Sequence, residues 1–192
     1  MNKKIILILL LIGNAIQAQQ EKRFAIIPSI GVSLSNISGA KDSYYENLIG
    51  PRVGIVGEYK INKIFGIQTG VNYVGMGAKV KNTFYSDNFR YYEIPLNINF
   101  FMGKSKRLYL TTGSSFSFLK HAGGSNGDLK EYVEKKQFGI SYGLGYRIKL
   151  SKNNDLDIGL VGFRGLTDIS IIEETDLKNN YVSFNLGYVF KI

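Results

Sequence analysis

One short stretch of the sequence has the pattern of a hydrolase active site. Residues Gly123–Gly127 read Gly-Gly-Ser-Asn-Gly, which fits the Gly-x-Ser-x-Gly motif of a nucleophile elbow. His121, the only histidine, lies just before it and would be the base for acyl transfer by Ser125 or Ser117. An elbow requires a strand–turn–helix setting, whereas this match lies in a polar segment rich in turn formers, with no carboxylate placed to orient the imidazole. We therefore expect no catalytic residue, and a lipid-modifying enzyme centred on His121 is the lesser alternative.

Metal and cofactor chemistry has little support in the sequence. There is no cysteine, so thiolate metal sites, disulfides and lipid attachment at an N-terminal cysteine are excluded. Four acidic residues near the end of the chain could hold Ca²⁺ on a surface loop: Asp168, Glu173, Glu174 and Asp176. Their spacing matches no known calcium loop, so a solvated loop is the expectation, with no metal and no cofactor.

The first residues have the organisation of a secretory signal peptide. Lys3 and Lys4 precede the apolar run Ile5–Ile12, and a small-residue cleavage region follows. The apolar run is too short for a transmembrane helix, which needs about 20 residues. We therefore predict a signal peptide over residues 1–18 and one mature domain over residues 19–192.

The chain carries a formal net charge of +9. A basic chain suggests nucleic acid or an anionic membrane as a partner. Export and the scattering of the basic residues over turns argue against nucleic acid. The 13 tyrosines, 12 phenylalanines and 22 glycines favour β structure.

The segment Tyr91–Phe101 shows how the β structure is built. In steps of two, it places Tyr92, Ile94, Leu96, Ile98 and Phe100 on one face and Tyr91, Glu93, Pro95, Asn97 and Asn99 on the other. Successive side chains of a strand point to opposite faces, so this is a strand with one apolar face, long enough to cross a bilayer.

Seven further segments repeat this alternation. They cover residues 25–36, 50–60, 65–73, 108–118, 138–148, 156–164 and 182–192. Short turns at 60–63, 103–106 and 151–154 alternate with longer loops such as 77–88, which is typical of outer-membrane barrels. We predict an all-β, eight-stranded antiparallel up-and-down transmembrane β-barrel with both chain ends on the periplasmic side.

A soluble lipocalin-like barrel is the alternative fold, since it shows the same alternation with the faces exchanged. Tyrosines on the apolar face favour the membrane, where aromatic residues form girdles. They are Tyr59, Tyr73, Tyr92, Tyr142 and Tyr146.

The polar face predicts a filled interior. An eight-stranded barrel is just wide enough for side chains to fill, so its many inward glycines make room for larger neighbours. Five charged residues share this interior and are expected to form a salt-bridge network: Arg52, Glu58, Glu93, Arg147 and Asp157. Pro95 has no backbone N–H in the middle of a strand, so we expect a bulge or a bend there.

The predicted periplasmic turns carry a rim of basic residues. They are Lys60, Lys63, Lys104, Lys106, Arg107, Lys149 and Lys152, with Lys191 at the end of the last strand. Phospholipid headgroups or an acidic periplasmic protein would suit this rim, and ordinary solubility of turns explains it equally well.

The chain resembles the PorT-like outer-membrane β-barrel family. The resemblance rests on the signal peptide, the Tyr-Glu-Ile-Pro-Leu segment Tyr92–Leu96, the segment Gly165–Ile169 and the aromatic last strand. It implies an eight-stranded barrel in the outer membrane of a Gram-negative bacterium and brings no catalytic residues. The founding member of the family is associated with protein secretion, so an association with secretion is one possibility for this chain.

These observations leave three functions open. The first is a non-enzymatic membrane scaffold or envelope component, with outer-membrane lipids and other envelope proteins as partners. The second is a small channel or a lipid- or solute-binding barrel, which requires a wet lumen. The third is the His121-centred enzyme. The sequence leaves the oligomeric state open.

Overall fold

The computed structural model describes residues 22–39, 45–124, 127–171 and 176–192. The predicted signal peptide, Ser125, Glu173 and Glu174 lie outside the described residues. Nine strands are present in them: β1 (Phe24–Ser38), β2 (Tyr45–Lys60), β3 (Phe65–Val80), β4 (Ser86–Met102), β5 (Leu108–Gly124), β6 (Gly127–Asp128), β7 (Lys136–Lys149), β8 (Asn154–Gly165) and β9 (Lys178–Lys191). None of the described residues forms a helix that is long and apolar enough to cross a bilayer.

Eight long strands close into one antiparallel barrel. Each strand pairs with its neighbour along the chain, β4 pairs with β5, and β1 pairs with β9 to complete the ring. The two-residue strand β6 pairs only with the end of β5 and lies outside the barrel wall. The predicted eight-stranded up-and-down barrel is therefore confirmed.

The apolar face of every strand points outward. On β4, Leu96 is 54% exposed and Ile98 is 53% exposed, whereas the neighbouring Glu93 is 1% exposed. A soluble barrel would bury the first two side chains and expose the third, so the lipocalin-like alternative is wrong.

Aromatic side chains lie at both ends of the outward apolar band. Phe65 and Phe100 pack against each other at one end, with ring centroids 5.4 Å apart, and Tyr73 and Tyr92 pack at the other end, 5.8 Å apart. The nine residues from Tyr92 to Phe100 match the 9–11 residues of a tilted membrane-spanning strand. This spacing fits a bilayer with an aromatic girdle at each interface.

The two ends of the barrel differ. One end, here called the turn end, carries the short connections at 61–64, 103–107 and 150–153 together with the start of β1 and the end of β9. The other end, here called the loop end, carries the remaining connections. Two of its loops meet over the mouth, where Val133 pairs with Ser170 and the Glu134 N–H donates to the Ile169 carbonyl at 2.8 Å.

Two details differ from the predictions. The predicted loop 77–88 is mostly strand, because β3 continues to Val80 and β4 begins at Ser86. Pro95 causes no bulge: the pairs Thr69↔Leu96 and Asn72↔Glu93 on either side of it keep one register. At Pro95, β4 forms no ladder pair with β3, since proline lacks the N–H that such a pair requires.

The irregularity in this part of the wall lies elsewhere. In β5, Leu119 pairs with Tyr91 and His121 pairs with Arg90, so Lys120 is the extra residue of a bulge. Beyond it, Ala122 is fully buried and His121 is exposed on the opposite side of the strand.

Candidate functional site

Inward side chains occupy most of the lumen in the part of the barrel that the structure describes. From the turn end to the loop end it contains an ion cluster around Arg147, a small polar cavity, a second ion cluster around Arg52, and an apolar plug. The five charged residues predicted to face the lumen all lie in these two ion clusters.

The turn-end ion cluster is centred on Arg147 of β7. Its guanidinium donates to both Glu58 carboxylate oxygens, at 2.8 and 2.7 Å, and its Nε donates to Asp157 at 3.1 Å. Tyr109 donates its hydroxyl to Asp157 at 2.8 Å, and Asn99 donates its side-chain amide to Glu58 at 2.7 Å. Every charge in the cluster therefore has a partner, as the cost of burying an ion requires.

Aromatic rings complete this cluster. The Arg147 guanidinium lies 5.0 Å from the ring centroid of Phe101 and 5.3 Å from that of Tyr109. Gly145 faces the Tyr109 ring so closely that a Cβ at this position would overlap it. The glycine thus makes room for the ring, as the pattern of inward glycines predicted.

The loop-end ion cluster joins β2, β4 and β9. Arg52 donates to Glu93 at 3.2 Å and to the Tyr181 hydroxyl at 2.7 Å, and Tyr181 in turn donates to Glu93 at 2.6 Å. Asn72 also donates to Glu93, and Ser183 accepts a bond from Arg52. Tyr109 and Tyr181 were not among the predicted site residues. The signal that could have identified both is their position on the inward face of their strands.

The apolar plug closes the loop end. It consists of Ile37, Val74, Met76, Ala78, Phe89, Tyr91, Ala122, Val133, Phe163, Ile169 and Tyr181. Val133 and Ile169 come from the two loops that pair over the mouth, and both are buried. The Asn179 side-chain N–H groups donate to Tyr91 and Gln137 within this layer, at 3.3 and 3.2 Å, whereas its side-chain oxygen accepts no hydrogen bond from the described residues.

The space left between the two ion clusters is small. The cavity there has a volume of about 60 Å³ and is lined by residues that include Gln68, Pro95, Asn97 and Thr111. This volume is enough for a few water molecules and lies well below the roughly 300–1,000 Å³ of ordinary small-ligand sites.

The turn-end mouth is a basic pocket of about 400 Å³, here called the basic cup. It is lined by Lys60, Ser105, Lys106, Arg107, Arg147, Lys149, Lys152, Asp155 and Lys191. Five of the seven predicted rim residues are among these. Lys63 instead lines a neighbouring pocket of about 430 Å³. Lys104 lines neither pocket and is exposed in the β4–β5 turn.

The structure separates His121 from Ser117, one of the two serines considered for the possible hydrolase site. His121 is exposed on the outer side of the wall, whereas Ser117 is 1% exposed and faces the lumen. The two side chains thus lie on opposite faces of β5. Ser125, the serine of the motif, is outside the described residues.

No metal site appears in the part of the chain that the structure describes, where no three His, Asp or Glu side chains gather. Asp168, one of the four acidic residues considered for Ca²⁺, accepts hydrogen bonds from the Ser170 and Leu177 N–H groups at 2.8 and 3.0 Å. Asp176 pairs with Lys178 at 2.7 Å. Both carboxylates therefore have protein partners in the loop.

Comparison with known proteins defines the class. Residues 6–190 match the family described as outer membrane protein beta-barrel domain, which is nearly the whole chain. The chain belongs to this family and is an outer-membrane protein. No curated protein matches it.

Three solved structures show the same fold. Neisserial surface protein A is 17% identical over 88% of this chain and 97% of its own, with a TM-score of 0.53. OprG from Pseudomonas aeruginosa is 14% identical over 90% and 97%, with a TM-score of 0.56. The outer membrane protein AlkL, solved in DMPC lipid bilayers, is 12% identical over 88% and 92%, with a TM-score of 0.51. At these identities the likeness concerns the fold alone.

Proposed function

We propose that this protein is a closed, non-enzymatic barrel that serves as a membrane scaffold or as a component of a larger envelope assembly. The observation that carries the proposal is the packed lumen. Two fully paired ion clusters and the apolar plug fill its cross-section, and the cavity between them holds about 60 Å³. A channel would need a continuous wet path through the barrel. Eight strands leave room for such a path only if their inward side chains are small.

Orientation is part of this proposal. Outer-membrane barrels have short periplasmic turns and longer outer loops, so we place the turn end in the periplasm. The outward apolar surface then meets lipid, and the basic turns reach the inner-leaflet headgroups and the periplasm. The Glu93–Leu96 segment that resembles the PorT-like family supports an envelope role, with secretion as one form of it.

The non-enzymatic part rests on the separation of His121 from Ser117, the one of the two candidate serines that the structure describes. A base on the outer wall cannot take a proton from a hydroxyl inside the lumen, and this is the arrangement of His121 and Ser117.

Deletion of the gene in the native host tests the proposal. If the protein is a scaffold or an assembly component, its deletion should weaken the envelope, measured as sensitivity to detergent and EDTA. Uptake of small solutes should remain unchanged. Complementation with the wild-type chain and with the His121→Ala variant should restore the envelope equally. A selective defect in solute uptake with an intact envelope would contradict the scaffold. Failure of His121→Ala to complement would contradict the non-enzymatic role.

A further inference from the structure

The basic cup at the turn end concentrates positive charge around one pocket. Of the nine residues that line its 400 Å³, seven are lysine or arginine and one is aspartate. They come from parts of the chain that are far apart in sequence: the end of β2, the β4–β5 turn, the β7–β8 hairpin and the end of β9. Closure of the barrel is what brings them together.

Most of these cations make no salt bridge among the described residues, although Glu58 and Asp155 lie near enough to attract Lys60. Arg147 is neutralised by Glu58 and Asp157 below it, and Lys191 pairs with Asp155 at 2.6 Å. The other five cations make no salt bridge among the described residues: Lys60, Lys106, Arg107, Lys149 and Lys152. Like charges held around one pocket repel each other, and an anion between them would remove that cost.

The cup is also held in shape. The Lys60 ammonium lies 4.6 Å from the ring centroid of Phe101, which is itself packed against Tyr109. Lys106 has a φ of 51°, a left-handed conformation that is uncommon for a residue with a side chain. The Arg147 N–H donates to the Arg107 carbonyl at 3.0 Å and ties the β4–β5 turn to β7. Two walls of the cup are therefore fixed by contacts of the barrel itself.

We propose that the basic cup binds a small phosphate-bearing anion on the periplasmic side. Lysine ammonium groups are strong point-charge donors to phosphate, and several converge here. The volume of about 400 Å³ lies in the range of small-ligand sites and suits a phosphate ester or a diphosphate. The phosphate belongs either to a soluble compound or to the headgroup of an anionic phospholipid, since both present the same chemistry.

The test uses the full mature chain, refolded in a zwitterionic detergent and titrated with pyrophosphate by calorimetry. The wild-type barrel should bind saturably, with an affinity that falls as salt is raised, because salt screens charge interactions. The variant K106Q/K149Q/K152Q removes three lining lysines and should weaken binding by at least about tenfold.

A matched variant controls for net charge. K81Q/K120Q/K130Q removes three exposed lysines near the loop end and should bind within about twofold of the wild type. Single variants in one turn sharpen the comparison, since Lys106 lines the cup and Lys104 does not. A shift in electrophoretic mobility on heating shows that each variant is folded.

Lipid nanodiscs distinguish the two sources of phosphate. If a phospholipid headgroup fills the cup, nanodiscs of phosphatidylglycerol should suppress pyrophosphate binding relative to nanodiscs of phosphatidylcholine. Equal binding in both indicates a soluble phosphate compound. The proposal is overturned if the wild type shows no saturable binding in detergent or phosphatidylcholine, or if both triple variants weaken binding equally. Neither the presence nor the absence of pyrophosphate binding bears on whether the lumen conducts.

Discussion

At the scale of residues, the buried charges are held by geometry that leaves little freedom. Glu58 is fully buried and Arg147 is 3% exposed, yet each oxygen of the Glu58 carboxylate faces a guanidinium nitrogen at less than 3 Å. A planar guanidinium fork fits a carboxylate in this two-bond manner, which an ammonium cannot do. Removal of one partner leaves a buried charge unpaired, and this costs more than the pair contributes to stability.

The inward direction of these residues follows from alternation along each strand, but their partners do not. Arg147 and Glu58 are 89 positions apart, and Arg52 and Glu93 are 41 apart. Which of the two arginines meets which carboxylate depends on the height of each residue in the closed barrel. Strand register and closure determine that height, and single-strand alternation contains no information about either.

Arg52→Met tests the loop-end ion cluster. The variant should lower the free energy of unfolding by about 3–5 kcal/mol, because Glu93 then lies buried without its cation. The double variant Arg52→Met/Glu93→Gln should recover part of this loss. The measurement is urea unfolding in lipid vesicles followed by circular dichroism, since the chain has no tryptophan.

Lys120→Met is the control for this pair, because it removes an exposed charge and should change stability by less than about 0.5 kcal/mol. Equal stability of Arg52→Met and Lys120→Met would show that the buried pairing of Arg52 with Glu93 does not stabilise the barrel.

At the scale of elements, inward glycines decide how strands can pack around aromatic side chains. Gly145 and Gly159 are paired across β7 and β8, and both face the lumen near Tyr109. Only Gly145 is in overlap distance of the ring, since the nearest atom to a Cβ on Gly159 would be 3.6 Å away. In the sequence, Gly145 and Gly159 are both inward glycines and look equivalent. Only the strand register shows which of them faces the Tyr109 ring.

Gly145→Ala should destabilise the barrel by about 1–3 kcal/mol, because the Tyr109 ring must move and its bond to Asp157 weakens. Gly159→Ala is the matched control and should be tolerated. Thermal unfolding monitored by electrophoretic mobility would measure both. Equal melting of the two variants would contradict the contact between Gly145 and Tyr109.

The outward face of β4 gives a prediction that depends on depth. Leu96 lies in the middle of the apolar band, whereas Asn88 lies on the same strand beyond the aromatic girdle at Tyr92. Leu96→Arg should cost about 2–4 kcal/mol and Asn88→Arg about 0–1 kcal/mol, since a charge is costly only near the bilayer midplane. Urea titration in vesicles would measure both, and equal costs would mean that Leu96 does not face lipid.

The strands themselves were predictable where alternation is strong, as in β4 and β7. Prediction failed at the loop end, where β3 runs on through Gly75 and Gly77 to Val80 and β4 begins at Ser86, because glycine and polar residues there have the composition of a loop. The ladder continues since its backbone hydrogen bonds do not depend on side-chain type. The bulge at Lys120 was also missed, because an extra residue in a polar stretch changes no visible pattern.

At the scale of the whole molecule, the barrel is blocked at several heights by different means. The apolar plug and two paired loops cover the loop end, and ion clusters lie below it. The turn end remains open as the basic cup, whose floor includes Arg147. The molecule therefore combines a lumen that is largely occupied by side chains with a charged recess at one end.

Single-channel recording in a planar lipid bilayer tests the closed lumen most directly. The folded wild-type barrel should give no stepwise current in 1 M KCl, measured beside an open porin as the positive control. The absence of steps would agree with a lumen that is blocked by the plug and the ion clusters. Regular, reproducible current steps from the folded protein would show a continuous water path and contradict the account.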